Sequence, residues 1–452
     1  VLEFLRDVLS QPALLIGIMS CIGLIALKRP FHKVMTGTLK PILGYLMLAA
    51  GAGVIVNNLD PLGKMIEHGF HITGVVPNNE AIVAVAQKVL GVETMSILVV
   101  GLLMNLCIAR FTKFKYVFLT GHHSLFMACL MSAVLGTAGL SGMELILVGG
   151  FLMGAWSAIS PAIGQSYTSK VTDGDEIAIG HFGSLGYYLS AWVAKYVGKA
   201  DDSTEDIEIP EKWGFLRDST LSTALTMIVF YLIAAIAAGS EFVATLSGSM
   251  SPYLFAVMSA MNFAVGVAIV YSGVRMILGD LIPAFQGIAT KIIPNAIPAV
   301  DCAVFFTYAP TAVVLGFISS FIGGIIGMLI LGAVGGVLII PGLVPHFFCG
   351  ATAGIYGNAT GGRRGAAVGA FLNGLAITFL PALALPVLGQ LGFQNTTFGD
   401  ADFAVMGLVL GHAFEWIGMA GIYGIVAIAA LVLIIPNFIK TKGKVINYVE
   451  EE

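Results

Sequence analysis

The chain has 452 residues, 57% of them hydrophobic and 11% charged, with a formal net charge of −4. So few charges cannot cover a soluble surface, and a mean hydropathy of +0.93 places the chain among polytopic membrane proteins. No nucleic-acid partner is expected; the partner common to the whole length is the lipid bilayer.

The first ten residues look amphipathic rather than like a cleaved signal. Apolar runs then predict spans near 12–28, 37–57, 93–112, 116–137, 142–165, 218–240, 254–281, 316–337, 338–358, 365–390 and 414–438, about 11 crossings. Stretches 78–91, 178–198 and 298–315 are too short or too punctuated to cross, and read as re-entrant half-helices. The runs show no period-2 alternation, so the expected fold is an all-α polytopic membrane protein and not a β-barrel. The 56 glycines suit close helix contacts and helix breaks alike. Five scattered cysteines, Cys21, Cys107, Cys129, Cys302 and Cys349, have no metal spacing and read as packing residues.

Basic residues cluster at Lys28, Arg29 and Lys33, at Arg110, Lys113 and Lys115, at Lys195 and Lys199, at Arg363 and Arg364, and at Lys440, Lys442 and Lys444. The positive-inside rule puts these segments in the cytoplasm, with the N-terminus outside and the C-terminus inside. The polar loop at 200–217 is then cytoplasmic, and its 200–213 part is the most soluble-looking surface of the chain.

Two halves of a single membrane-embedded unit align loosely, as repeats near 12–165 and 218–390 followed by a final span at 414–438. GTLKPILGYLMLAAGAG (37–53) is similar to YSGVRMILGDLIPAFQG (271–287), NNEAIVAVAQKVLG (78–91) to AVDCAVFFTYAPTAVVLG (299–316), and VFLTGHHSLF (117–126) to LIIPGLVPHFF (338–348). In each half an acid precedes a histidine: Glu80 with His122, Asp301 with His346. Broken hydrophobic segments at matching places in two halves point to a transporter, inverted if each half crosses an odd number of times.

Ionisable groups at membrane depth are costly, so each is a functional candidate. Asp301, between apolar residues, reads as a substrate-hydroxyl acceptor or a base, with a helix N-cap as the alternative. Glu80, after Asn78 and Asn79, is equally a first-turn acid favoured by the helix dipole. His122 follows Gly121 at a helix break and is a candidate hydrogen-bond partner for a polar or anionic substrate; adjacent His123 must point to another face. His346 and His412 carry weaker cases. The segment VTDGDEIAIGHFGSLGYY (171–188), with His181, reads as a gate or substrate loop, or as an ordinary connection. Neither a zinc motif nor a Walker A sequence is present, so no metal, cofactor or ATP hydrolysis is expected.

VFLTGHHSLF, VTDGDEIAIGH and IPAVDCAVFFTYAPTAVVLGF resemble, in order, segments of the ascorbate-specific enzyme IIC permeases of the bacterial phosphotransferase system. The likeness runs from the first span to about residue 440. It implies a homodimer in the bacterial inner membrane, each subunit having 11 helices, a core domain and a V-shaped scaffold domain. It also implies uptake of L-ascorbate coupled to phosphorylation to L-ascorbate 6-phosphate, the phosphoryl group arriving through IIA and then a cysteine on a separate IIB protein. The family's binding positions fall on Asn79, Glu80, His122, His123, Ser124, Leu125, Phe126, His181, Phe182 and Asp301. Here His123 and Phe126 partly replace polar residues after LTGH, and IGHQQ becomes IGHFG.

Physical chemistry gives such residues work to do. Ascorbate is a small, oxygen-rich monoanion whose hydroxyls need directed donors and acceptors, and histidine offers both. Half-helix N-termini attract its charge. Asp301 is then suited to a side-chain hydroxyl of the sugar acid, with the further role of general base. None of the five cysteines lies in a soluble phosphate cradle, so a partner brings the phosphate; the 200–217 loop and the basic segments are the expected docking surface. The competing reading is an ion-coupled secondary transporter of a small anionic sugar acid, with Glu80 and Asp301 as ion sites; no filter loop supports a channel.

Overall fold

A computed structural model describes residues 11–71, 74–77, 79–174, 176–207, 219–389 and 396–438, less the side chains of 80–91 and of scattered other helical positions. The amphipathic start, Asn78, positions 208–217 of the polar loop, Lys440, Lys442 and Lys444 lie outside the described residues, as does the side chain of Glu80.

The chain is almost entirely helical. Its helices are α1 (Pro12–Ala26), α2 (Phe31–Gly69), α3 (Asn79–Phe111), α4 (Gly121–Thr137), α5 (Gly142–Thr172), α6 (Ser184–Val197), α7 (Ser219–Ala238), α8 (Ser240–Ser247), α9 (Pro252–Lys291), α10 (Pro310–Ala333), α11 (Leu343–Gly389), α12 (Ala401–Ile417) and α13 (Met419–Ile434). Among the described residues seven helices are long and apolar enough to cross a membrane, or eight if the bent pair α7–α8 makes one span. This is a multi-pass membrane protein. The shortfall from about 11 crossings has visible causes. α1 and α4, with 15 and 17 residues, fall short of about 20. α11 holds two expected spans in one helix broken at Gly361 and Gly362, and the span expected at 218–240 counts only as the bent pair α7–α8. Residues 79–91 form no separate half-helix either; they open the 33-residue α3.

Among the described residues five short strands punctuate the helices: β1 (Val76–Pro77), β2 (Tyr116–Phe118), β3 (Ala178–Ile179), β4 (Ile297–Val300) and β5 (Thr396–Thr397). Unwound backbone inside a membrane protein must find hydrogen bonds within the protein, and these segments satisfy one another. β4 lies between β2 and β3, all parallel, with Phe118 and Ala178 both paired to Ala299. β1 lies between β5 and Ile339, again parallel, Val76 opposite Thr396 and Val75 opposite Ile339.

The pairing is an exchange between halves. The order strand, helix, strand, two helical segments, strand, helix runs β1–α3–β2–α4–α5–β3–α6, and again from β4 through α10, Ile339, the two parts of α11 and β5 to α12. In each sheet the first strand of one half sits between the second and third strands of the other.

Helix packing separates two bodies. α1, α2, α7, α8 and α9 pack on one another, built on the long antiparallel pair α2–α9; α3–α6 and α10–α13 form the rest. In the α2–α9 seam a Cβ on Gly51 would lie 2.7 Å from the Gly266 carbonyl oxygen, and one on Gly44 2.8 Å from that of Gly273. Glycine at these positions permits backbone-to-backbone approach.

The polar loop after α6 is less free than its composition suggests. Thr204 is buried, its amide donating to Asn358 Oδ1 (2.8 Å), and Arg363 pairs with Asp202 (2.7 Å) across the α11 break. Glu205 accepts from the amides of Thr311 and Ala312 (3.0 and 3.1 Å), capping α10. Residues 200–207 are thus a clasp between α6, α10 and α11.

Candidate functional site

Each strand of the β2–β4–β3 sheet delivers a polar residue just past its C-terminal end: Gly121 and His122 follow β2, His181 follows β3 and Asp301 follows β4. The other sheet does the same with Asn79 after β1 and Asp400 after β5. The two sets meet. Asn79 Nδ2 donates to Asp400 Oδ2 (2.6 Å), and Asp400 Oδ1 lies 3.8 Å from His181 Nδ1.

Asp301 is buried and caps the short 3-10 turn Cys302–Thr307, its Oδ1 accepting from the Ala303 amide at 3.1 Å. Its Oδ2 faces His122 Nε2 at 3.3 Å. Capping and site chemistry are therefore not alternatives here, because each carboxylate oxygen has its own partner and a second lone pair to spare. The Nδ1 of His122 meets the hydroxyl of Tyr45 at 3.1 Å. With Nε2–H donated to Asp301, a neutral ring accepts from Tyr45, an α2 residue in the other packing body.

His122 and His123 diverge as adjacent helical positions must. The side chain of His122 is 38% exposed, whereas His123 is buried with its ring centroid 3.7 Å from that of His181. Backbone amides fix both buried rings: Phe182 N–H donates to His123 Nδ1 (3.3 Å) and Gly183 N–H to His181 Nδ1 (3.1 Å). An amide only donates, so each Nδ1 is an acceptor and each neutral ring carries its proton on Nε2. Tyr187 adds its hydroxyl to His181 Nδ1 at 2.7 Å.

Phe182 contributes its amide and a ring stacked on Phe118 at 4.6 Å. Phe126 walls the histidines edge-on, 5.8 Å from the His122 ring. Ser124 turns back to the Thr120 carbonyl (3.3 Å), and Leu125 packs into the apolar cluster with Phe118, Phe126 and Phe182. Those two expected site residues line helix α4 and not the polar cluster. Glu80 stands in the first turn of α3 beside Asn79.

Asp301 and His346, which hold matching places in the sequence of the second half, do not meet. His346 is buried elsewhere, its Nδ1 on the Ser320 hydroxyl at 2.9 Å; the strand exchange brings Asp301 to His122 of the other half instead. His412 is outside the cluster, paired with Glu415 at 3.0 Å.

Tyr45, Tyr187, Cys349, Asp400 and Asp402 are additions that sequence reading missed. Cys349 Sγ donates to Asp400 Oδ1 at 2.9 Å, so it is more than packing. Asp402 accepts from Trp156 Nε1 (3.2 Å), Ser184 Oγ (2.8 Å) and Leu185 N (2.9 Å), while its amide donates to the Phe182 carbonyl (2.9 Å). It holds the IGHFG segment against α5, α6 and α12. Donor atoms of His123, His181 and Asp400 lie within 4.8 Å of one another, yet both histidine Nδ1 atoms are already committed to amides. The cluster is built as a hydrogen-bonding surface of donors and acceptors on converging backbone ends, suited to a small hydroxylated molecule.

A sequence model of the PTS system sugar-specific permease component matches residues 7–402. The ascorbate-specific PTS system EIIC component of Mycoplasma pneumoniae is 27% identical over 417 aligned residues, 79% of this chain and 62% of the relative. The chain thus spans less than two thirds of that relative's length.

Proposed function

This chain belongs to the sugar-specific permease components of the phosphotransferase system, and on that basis we propose that it takes up L-ascorbate and presents it for phosphorylation by a phosphorylated IIB protein. The observation that carries the reading is the meeting of Asp301, His122, His123 and His181 at the C-terminal ends of strands exchanged between halves. Ascorbate as cargo rests on the resemblance of the three motifs and on the name of the Mycoplasma relative.

The donors Nε2–H of His123 and His181, with the N-terminus of α3 near Asn79, suit an enediolate anion. Asp301 takes the opposite task, accepting from a side-chain hydroxyl. In the transfer step the Asp301 carboxylate removes the C6 hydroxyl proton as O6 attacks phosphorus. The S–P bond of the IIB phosphocysteine breaks, and its thiolate leaves. The product is L-ascorbate 6-phosphate, and IIA recharges IIB.

The two packing bodies are candidates for the scaffold and core of alternating access, with Tyr45–His122 spanning their boundary. Two repeats, a homodimer in the inner membrane, an outer N-terminus and a cytoplasmic C-terminus complete the proposal. Because residues 200–207 are clasped to α10 and α11, IIB docking falls to the basic residues gathered at the α11 break, Lys199, Arg363 and Arg364.

Equilibrium binding of labelled L-ascorbate to the purified protein, competed by other sugar acids and by neutral hexitols, tests the reading. L-ascorbate should compete best. Equal competition by a neutral hexitol would remove the anion-binding role of the histidines.

A further inference from the structure

Between the two packing bodies lies a narrow cleft, with about 10 Å³ open to the centre of a water-sized sphere. Aliphatic side chains such as Ile16, Leu48 and Val304 line most of it, and its polar lining comes from Tyr45, Thr120 and Asp301. Thr120 is the unusual member. It stands at the N-cap of α4, where a threonine hydroxyl ordinarily accepts from an amide of the first turn, yet its side chain makes no capping bond. Its carbonyl takes the Ser124 amide and hydroxyl at 3.1 and 3.3 Å. The hydroxyl itself is buried and has no hydrogen-bond partner among the described residues. A buried hydroxyl left unpaired costs free energy, so its position in this cleft points to a ligand.

Across the cleft the Tyr45 hydroxyl donates to His122 Nδ1, which leaves its oxygen free to accept. Asp301 has a spare lone pair on each oxygen. One donor and two acceptors, set in aliphatic walls, match a terminal vicinal diol on a short carbon chain.

We propose that Thr120 and Tyr45 are specificity-determining residues that read the terminal diol of the substrate beside Asp301. The primary hydroxyl donates to Asp301 and accepts from Thr120 Oγ–H, and the neighbouring secondary hydroxyl donates to the Tyr45 oxygen. This rests on the reading of the Asp301 cluster as the sugar-acid site and adds to it the recognition of the hydroxyl to be phosphorylated.

Equilibrium binding of L-ascorbate, its 6-deoxy analogue and its C5 epimer to the full chain provides the test. Wild type should prefer L-ascorbate over the 6-deoxy analogue by at least about thirtyfold, the worth of one hydrogen bond to a carboxylate and one neutral hydrogen bond. Thr120→Val should lower that ratio by about three- to tenfold, the worth of its one neutral hydrogen bond, leaving the share of Asp301, and Thr120→Ser, which keeps the hydroxyl, should hold the wild-type ratio. Tyr45→Phe should leave the 6-deoxy ratio standing and reduce discrimination against the C5 epimer. A wild-type 6-deoxy ratio in Thr120→Val, or unchanged epimer discrimination in Tyr45→Phe, overturns this inference alone. Absence of L-ascorbate binding by wild type overturns the functional reading and this one with it.

Discussion

His122 and Asp301 meet at 3.3 Å although one follows β2 in the first half of the chain and the other follows β4 in the second. They are neighbours because β4 is inserted between β2 and β3. A site at this junction draws on strands far apart in the sequence, so any movement of one strand against the others is felt by its hydrogen bonds.

Asp301→Asn keeps the size of the side chain and an oxygen to accept from Ala303, but it cannot take a proton at neutral pH. Binding of L-ascorbate should fall by less than about tenfold, while phosphoryl transfer from phospho-IIB should drop by about 10²–10⁴-fold. Single-turnover transfer measured beside equilibrium binding separates the two. Wild-type transfer rates in this variant would remove the base assignment.

Asp402 is fully buried and accepts from Trp156, Ser184 and Leu185. Asp402→Ala strands these donors and should destabilise the protein by about 3–5 kcal/mol, visible as a lowered Tm in detergent. An unchanged Tm would show that the IGHFG segment is held by other contacts.

Gly51 faces the Gly266 carbonyl in the α2–α9 seam. Gly51→Val must push the two long helices apart and should cost about 1–3 kcal/mol through overpacking. Gly53, whose Cβ would meet nothing within 4 Å, is the control: Gly53→Ala should melt with wild type or slightly above it. Equal effects of the two substitutions would argue against the close helix contact.

Glu205 caps α10 from a loop on the other side of the α11 break. Glu205→Ala should cost about 1 kcal/mol and expose the 199–207 clasp to protease. Limited proteolysis at 25 °C reads this directly; an unchanged cleavage rate contradicts the clasp.

The segments that deliver His122, His181 and Asp301 were legible because glycine, acid and histidine interrupt apolar runs there, at a place where each such residue is expensive. Their strands were not legible. Two to four residues are too few for an alternation pattern, and strand exchange is a long-range choice with no local signature. Hence the sequence spacing of Asp301 and His346 carried no information that Asp301 would sit at His122. Asp400 and Asp402 in GDADF did carry a signal, two acids opening an apolar run, the pattern already noted at Glu80 and Asp301. Tyr45 carried none: a single tyrosine in an apolar helix looks the same whether its hydroxyl meets lipid headgroups or a histidine. The 200–207 segment misled in the opposite direction, since a clasp built from Asp202, Ser203 and Glu205 has the composition of a solvated loop.

Uptake of labelled L-ascorbate into inside-out and right-side-out vesicles, with and without phospho-IIB at the cytoplasmic face, tests the central claim most directly. Right-side-out vesicles loaded with phospho-IIB should accumulate L-ascorbate 6-phosphate, and those without it should accumulate nothing under an imposed proton or sodium gradient. Gradient-driven accumulation of unmodified L-ascorbate in the absence of IIB would contradict it and mark the buried carboxylates as ion sites.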